Sequence, residues 1–198
     1  MHISEGVLSG TALIAGWAGT VTCTAIGLRK TDTSKIVRTA LLSSSFFLAS
    51  LVNIRIGPSS THLSLLAPVG LILGWSSFPA MLVALFLQAI LFHFGGLVVL
   101  GANTFIMGTP ALIVYVVFGK MIRSENKIFS GIMAFISGAL AVMIGACLAG
   151  IFLGISDRNF FEAAKILFYA HIPLALIEGI VTSFMIMFLK RVSPEFLS

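Results

Sequence analysis

His62-Leu63-Ser64-Leu65-Leu66-Ala67-Pro68-Val69-Gly70-Leu71-Ile72-Leu73-Gly74-Trp75-Ser76 is a mostly apolar run of 15 residues, and whether it crosses a bilayer fixes the topology of everything around it. A helix needs about 20 residues to span a hydrocarbon core. With Pro68, Gly70 and Gly74 inside it, this run is either a short span or a re-entrant segment. The rest of the chain leaves water out as its solvent. Apolar residues are 58% of the 198 positions and charged residues 10%, against roughly 25% charged in a soluble domain. The chain reads as one polytopic membrane domain over 1–198.

Six further apolar runs surround the quoted one, near 7–28, 36–56, 78–94, 103–122, 128–154 and 166–189. Charge decides the status of 62–76. If it crosses, there are seven spans. With the N-terminus outside, Arg29, Lys30, Lys35, Arg38, Lys120, Arg123, Lys127, Lys190 and Arg191 then all face the cytoplasm, nine of the 12 basic residues. If it does not cross, the Lys120 loop and the C-terminal tail fall opposite the Arg29 loop, against the positive-inside rule. The expected fold is an all-α bundle of seven transmembrane helices, N-terminus outside and C-terminus cytoplasmic. The net charge of +5 thus orients helices in a lipid bilayer and does not point to nucleic acid. Cys23 and Cys147 lie in apolar stretches without C-x-x-C spacing and read as small buried hydrophobes.

The first charge is Glu5, and no Lys or Arg precedes Arg29. A secretory signal begins with a basic region, so 7–28 reads as a permanent first helix. Ahead of it stand Met1 and His2. A free α-amine, the next backbone amide and an imidazole one residue on offer three nitrogens to one metal ion in a fused chelate. A fourth nitrogen completes a square plane, the geometry of Ni(II) and Cu(II) sites. On this topology all four histidines fall in the outer half. His62 ends Gly57-Pro58-Ser59-Ser60-Thr61-His62, a turn-rich stretch. It is either the fourth ligand or an interfacial residue capping a helix.

Other polar residues are candidates for support. His171 and Glu178 are seven residues apart and share a helix face. An ionisable group as deep as Glu178 is a functional hypothesis by default, with a packing-fixing polar network as the alternative. Asn103 follows Gly95-Gly96 and Gly101 and reads as a helix cap or as an orienter of a ligand. Glu5 and Ser60 complete the set. His93 reads as an interface residue, and Trp17 and Trp75 as belt aromatics. There is no G-x-x-x-x-G-K-[ST] loop, and H-E-x-x-H and G-x-S-x-G are absent. The chain reads as no enzyme. It has no cofactor of its own, and any nucleotide power must come from another subunit.

Four fragments in order resemble one family. Met1-His2-Ile3-Ser4-Glu5-Gly6 is similar to its opening M-H-I-x-[DE]-G, and Gly57 to His62 to its small-residue loop ending in His. Gln88 through Asn103 is similar to its Q-A-x-L-F…G-G-L…L-G-A-N, and His171 through Gly179 to its H-x-P-x-A-x-x-E-G. The chain resembles the CbiM/NikM-type substrate-binding (S) component of energy-coupling-factor transporters for cobalt and nickel, over nearly its whole length. The resemblance implies that Co(II) or Ni(II) is transported. It implies binding by the Met1 amine, the His2 backbone nitrogen and side chain, and the His62 imidazole. It also implies a transmembrane coupling (T) protein, an ATPase pair that binds the ATP, and a small CbiN/NikN-like membrane subunit, in the cytoplasmic membrane of a bacterium or archaeon. Two other classes stand beside it: an ion-coupled secondary metal transporter, and a membrane metalloenzyme with Glu178 as general base.

Overall fold

The computed structural model describes residues 2–32, 36–56 and 59–197. Among them are seven α-helices: α1 (Gly10–Lys30), α2 (Ile36–Ala49), α3 (Leu66–Leu73), α4 (Ser77–Phe92), α5 (Leu100–Phe118), α6 (Lys127–Ser156) and α7 (Phe161–Val192). Between α2 and α3 the chain forms two short antiparallel strands, β1 (Asn53–Ile56) and β2 (Ser59–His62), with Asn53 opposite His62 and Ile56 opposite Ser59. Five runs are long and apolar enough to cross a membrane: Gly10–Lys30, Leu66–Phe92, Leu100–Phe118, Lys127–Ser156 and Arg158–Val192. Among the described residues the regular structure is helical apart from the hairpin.

Two expected ranges change. The helix expected over 36–56 stops at Ala49, and its last four residues are strand β1. Asn53 favours turns and caps over helix interiors. The run 62–76 is not one helix either. His62 closes the hairpin, Leu65 is left-handed at φ 47°, and α3 begins only at Leu66. Its eight residues rise about 12 Å, well under half of a bilayer core of about 30 Å. Gly74, at φ 56°, ends it in a conformation that suits glycine. A 3₁₀ turn, Gly74–Ser76, leads into α4. The other helices differ from their expected ranges by a few residues, most at the start of α7, Phe161 against 166.

Contacts between distant residues define two ends of the bundle. At one, the site end, lie His2, His62, Phe94 and the Ser9 amide, which donates to Ser156 Oγ (3.0 Å). At the other lie Lys30, whose ammonium sits 4.7 Å from the Trp75 ring centroid, and Lys190, which donates to the Ile122 carbonyl (3.0 Å). Trp75 belongs to this second end and Phe94 to the first. So α3 descends from the site end and α4 returns to it. Between the ends a core of Phe46, Leu66, Leu71, Met81, Met107 and Ile186 is closed to solvent. The absence of a side chain at Gly70 lets α3 press on the α5 backbone at Ala111, where a Cβ would overlap it.

Candidate metal centre

The N-terminal segment lies against the loop between α4 and α5. Asn103 holds it as a neighbouring strand would. The Ile3 amide donates to Asn103 Oδ1 (3.0 Å), and Asn103 Nδ2 donates back to the Ile3 carbonyl (3.0 Å). Two residues on, the Glu5 amide donates to the Gly95 carbonyl (3.1 Å), and Glu5 Oε1 accepts from the Val98 amide (2.9 Å). Gly95 and Gly96 have φ of 75° and 131°, and a Cβ on Gly96 would overlap the Glu5 side chain. The glycines are what let the segment lie so close. Asn103 therefore does not cap α5. It sits inside the helix, its own amide donating to the Val99 carbonyl (2.9 Å), and its side chain clamps a backbone 100 residues away.

The clamp delivers His2 to His62. The rings are 4.8 Å apart between centroids, with Phe94 6.0 Å from His2 on another side. His2 Nε2–H donates to Gln88 Oε1 (2.8 Å) and His62 Nδ1–H to the Leu63 carbonyl (3.0 Å). Both acceptors lack a proton to give, so each fixes a tautomer. That leaves His2 Nδ1 and His62 Nε2 unprotonated, and these two atoms lie 3.0 Å from each other. Burial holds His2 well below the usual imidazole range and pushes His62 down to about 4. Both are neutral at pH 7. Two neutral nitrogens presenting lone pairs at this distance repel unless a cation bridges them. Adjacent ligands at right angles around a metal, with bonds of about 2.0–2.1 Å, are about 2.8–3.0 Å apart. The pair has the spacing and the protonation of two cis ligands.

Glu178 serves the same loop from α7. Its Oε1 accepts from the Ser64 amide, from Ser64 Oγ (2.9 Å) and from the Leu65 amide (3.1 Å). These are the donors at the start of α3, where a carboxylate satisfies amides that have no helical partner. Glu178 is thereby a buried anchor two residues beyond His62. Its oxygens are engaged with the loop. His171, two turns away on α7, donates from Nδ1 to the Leu167 carbonyl (2.7 Å) and makes no hydrogen bond to His2 or His62. It is buried, but not brought into the pair. His93 is exposed at the end of α4, left-handed at φ 56°. Trp17 packs on Gly101, and its indole N–H donates to the Val98 carbonyl (3.0 Å).

Met1 and the side chain of Ser60 lie outside the described residues. Among those described, no three His, Cys, Asp or Glu side chains converge on one point. Gln88 was not singled out from the sequence. A signal was there: it is the lone polar residue between Phe78 and Phe92, and it is fully buried.

Residues 2–196 match the family described as "Cobalt uptake substrate-specific transmembrane region". The chain belongs to the CbiM family. A putative metal transport protein of Haemophilus influenzae is 34% identical to this CbiM-family chain, across 98% of the chain and 96% of the relative. The fused nickel transport protein NikMN of Rhodobacter capsulatus is 29% identical across the whole chain, which spans 64% of that longer protein. A solved transition metal transporter superposes with a TM-score of 0.77 at 25% identity, covering 97% of this chain and 93% of the other. Together with its long apolar helices, membership of the family makes this a multi-pass membrane protein of metal transport.

Proposed function

We propose that this protein is the substrate-specific component of an energy-coupling-factor importer, taking Co(II) or Ni(II) from outside the cytoplasmic membrane of a bacterium or archaeon. The observation that carries the reading is the 3.0 Å approach of His2 Nδ1 and His62 Nε2, with His62 buried and His2 half-buried. The metal is the cargo. His2 Nδ1 closes a six-membered ring with the His2 backbone nitrogen, and the Met1 amine closes a five-membered ring with the same nitrogen. With His62 Nε2 the set is four nitrogens in a plane. A metal–amidate bond favours ions with strong tetragonal preferences and excludes Mg(II), Ca(II) and Mn(II).

The topology proposed is seven crossings with the site end outside. It gathers the nine basic residues named above at the opposite end, the cytoplasmic one. Without a nucleotide-binding loop, the chain depends on an ATPase pair joined through a transmembrane coupling protein. The longer fused nickel transporter of Rhodobacter capsulatus supports a small CbiN/NikN-like subunit as a further partner.

The test is a titration of the purified chain with Ni(II) and Co(II), native against a version carrying one extra residue before Met1. The native chain should bind one equivalent. The extended chain, its terminal amine displaced, should lose binding while its helical content is unchanged. Equal affinity in the two would sink the terminal chelate.

A further inference from the structure

We infer that Gln88 is a positioning residue that selects the metal-binding tautomer of His2 and so sets metal affinity; the inference rests on the chelate proposed above. Only Nδ1 of His2 can close a ring with the backbone nitrogen of the same residue. Nε2 points away from it. The ring must therefore carry its proton on Nε2 for Nδ1 to bind metal, and whatever faces Nε2 decides whether it does.

Gln88 Oε1 is what faces it, at 2.8 Å. The amide is fully buried on an otherwise apolar stretch of α4, so water does not take its place. Its other end, Nε2, has no hydrogen-bond partner among the described residues. A primary amide has two ends of similar shape and opposite polarity. With oxygen toward the ring, His2 carries Nε2–H and Nδ1 is the ligand. With nitrogen toward the ring, the amide donates to Nε2, the proton moves to Nδ1, and the metal-facing nitrogen is blocked. Either orientation leaves one amide end unpartnered. In the structure the oxygen faces the ring, which leaves both converging nitrogens unprotonated and open to a cation; with the nitrogen inward, His2 Nδ1–H would instead donate to His62 Nε2 across the same 3.0 Å. Gln88 thus resembles the carbonyls and carboxylates that accept the distal N–H of metal-bound histidines, and such partners are worth about 10–100-fold in affinity.

Three variants of the full chain separate this role from packing. Gln88→Leu keeps the volume and removes the acceptor. Gln88→Asn keeps the amide and withdraws it by one methylene. Gln88→Glu supplies an acceptor of the same reach. Ni(II) is titrated into each, alongside the native chain, and the imidazole ¹⁵N shifts of His2 are recorded. Expected are a loss of about 10–100-fold for Gln88→Leu and Gln88→Asn, with the His2 proton no longer confined to Nε2. Gln88→Glu should bind at least as tightly as the native protein. Should Gln88→Leu fail to fold, Gln88→Asn and Gln88→Glu decide. Native affinity and an unaltered His2 tautomer in Gln88→Asn or Gln88→Leu would overturn the role of Gln88 and leave the chelate standing. No Ni(II) or Co(II) binding by the native chain would overturn both.

Discussion

The two ends of the bundle are both closed by long-range polar contacts, yet with opposite chemistry. At the site end the groups that hold the chain are neutral: the Asn103 amide on Ile3, the Gln88 amide on His2, and backbone carbonyls on His62 and His171. The carboxylates there, Glu5 and Glu178, are engaged by amides. At the opposite end cations do the work. Lys190 Nζ donates to the Ile122 and Ser124 carbonyls and to Ser130 Oγ (3.1 Å). Arg38 donates to the Glu195 carbonyl (2.9 Å) and stacks on Phe196 with 4.7 Å to its centroid. A lysine or arginine beside the imidazole pair would repel a divalent cation by several kcal/mol in a low dielectric. The imidazole pair is held by uncharged groups, and the opposite end by cations.

Four outcomes test this contrast, in descending size. His62→Ala removes a ligand and should weaken Ni(II) binding by more than about a hundredfold, since even supporting residues are worth about 10–100-fold; equilibrium titration reads it. Asn103→Ala frees the N-terminal segment from two hydrogen bonds of about 1 kcal/mol each. Affinity should fall about thirtyfold, with faster hydrogen exchange at the Ile3 and Glu5 amides.

Acidification comes next. The folded chain holds His62 at about 4 against 6.5 for a free imidazole. Between those values the unfolded chain binds more protons, so stability is full above about pH 6.5 and is lost as pH falls toward 4. Thermal unfolding of the protein without metal across that range shows it, and a flat profile would mean that His62 is not buried as described. Lys190→Met should leave Ni(II) affinity within about twofold while lowering stability by about 1–3 kcal/mol, through loss of its hydrogen bonds to Ile122, Ser124 and Ser130. A large loss of binding there would erase the distinction between the ends.

How much of this was legible in the sequence follows from range. The long helices could be read because hydropathy is a local property, and α4 and α6 lie close to their expected bounds. The hairpin could not. Leu51-Val52-Asn53-Ile54 carries apolar residues on from α2, and composition alone does not tell a strand from the last turn of a helix. His2 and His62 were candidates from chemistry, and the fold then brought them together. The roles of Asn103 and Glu178 were hidden for a different reason. Each acts on backbone amides about 100 residues away or more, and nothing in the local sequence says which backbone will arrive. Gln88 was legible as an isolated amide in apolar surroundings, but its partner was not.

The side-chain grip of Asn103 takes only main-chain atoms of Ile3, so these two hydrogen bonds are indifferent to the side chain at position 3. It is also mounted on the first turn of α5, a rod of 19 residues and about 28 Å. The far end of that rod runs into the loop that Lys190 grips through Ile122 and Ser124. A single helix, with Pro110 inside it, thus has the N-terminal peptide tied to one tip and the basic end tied to the other. A displacement of the rod along its axis is felt at both tips at once.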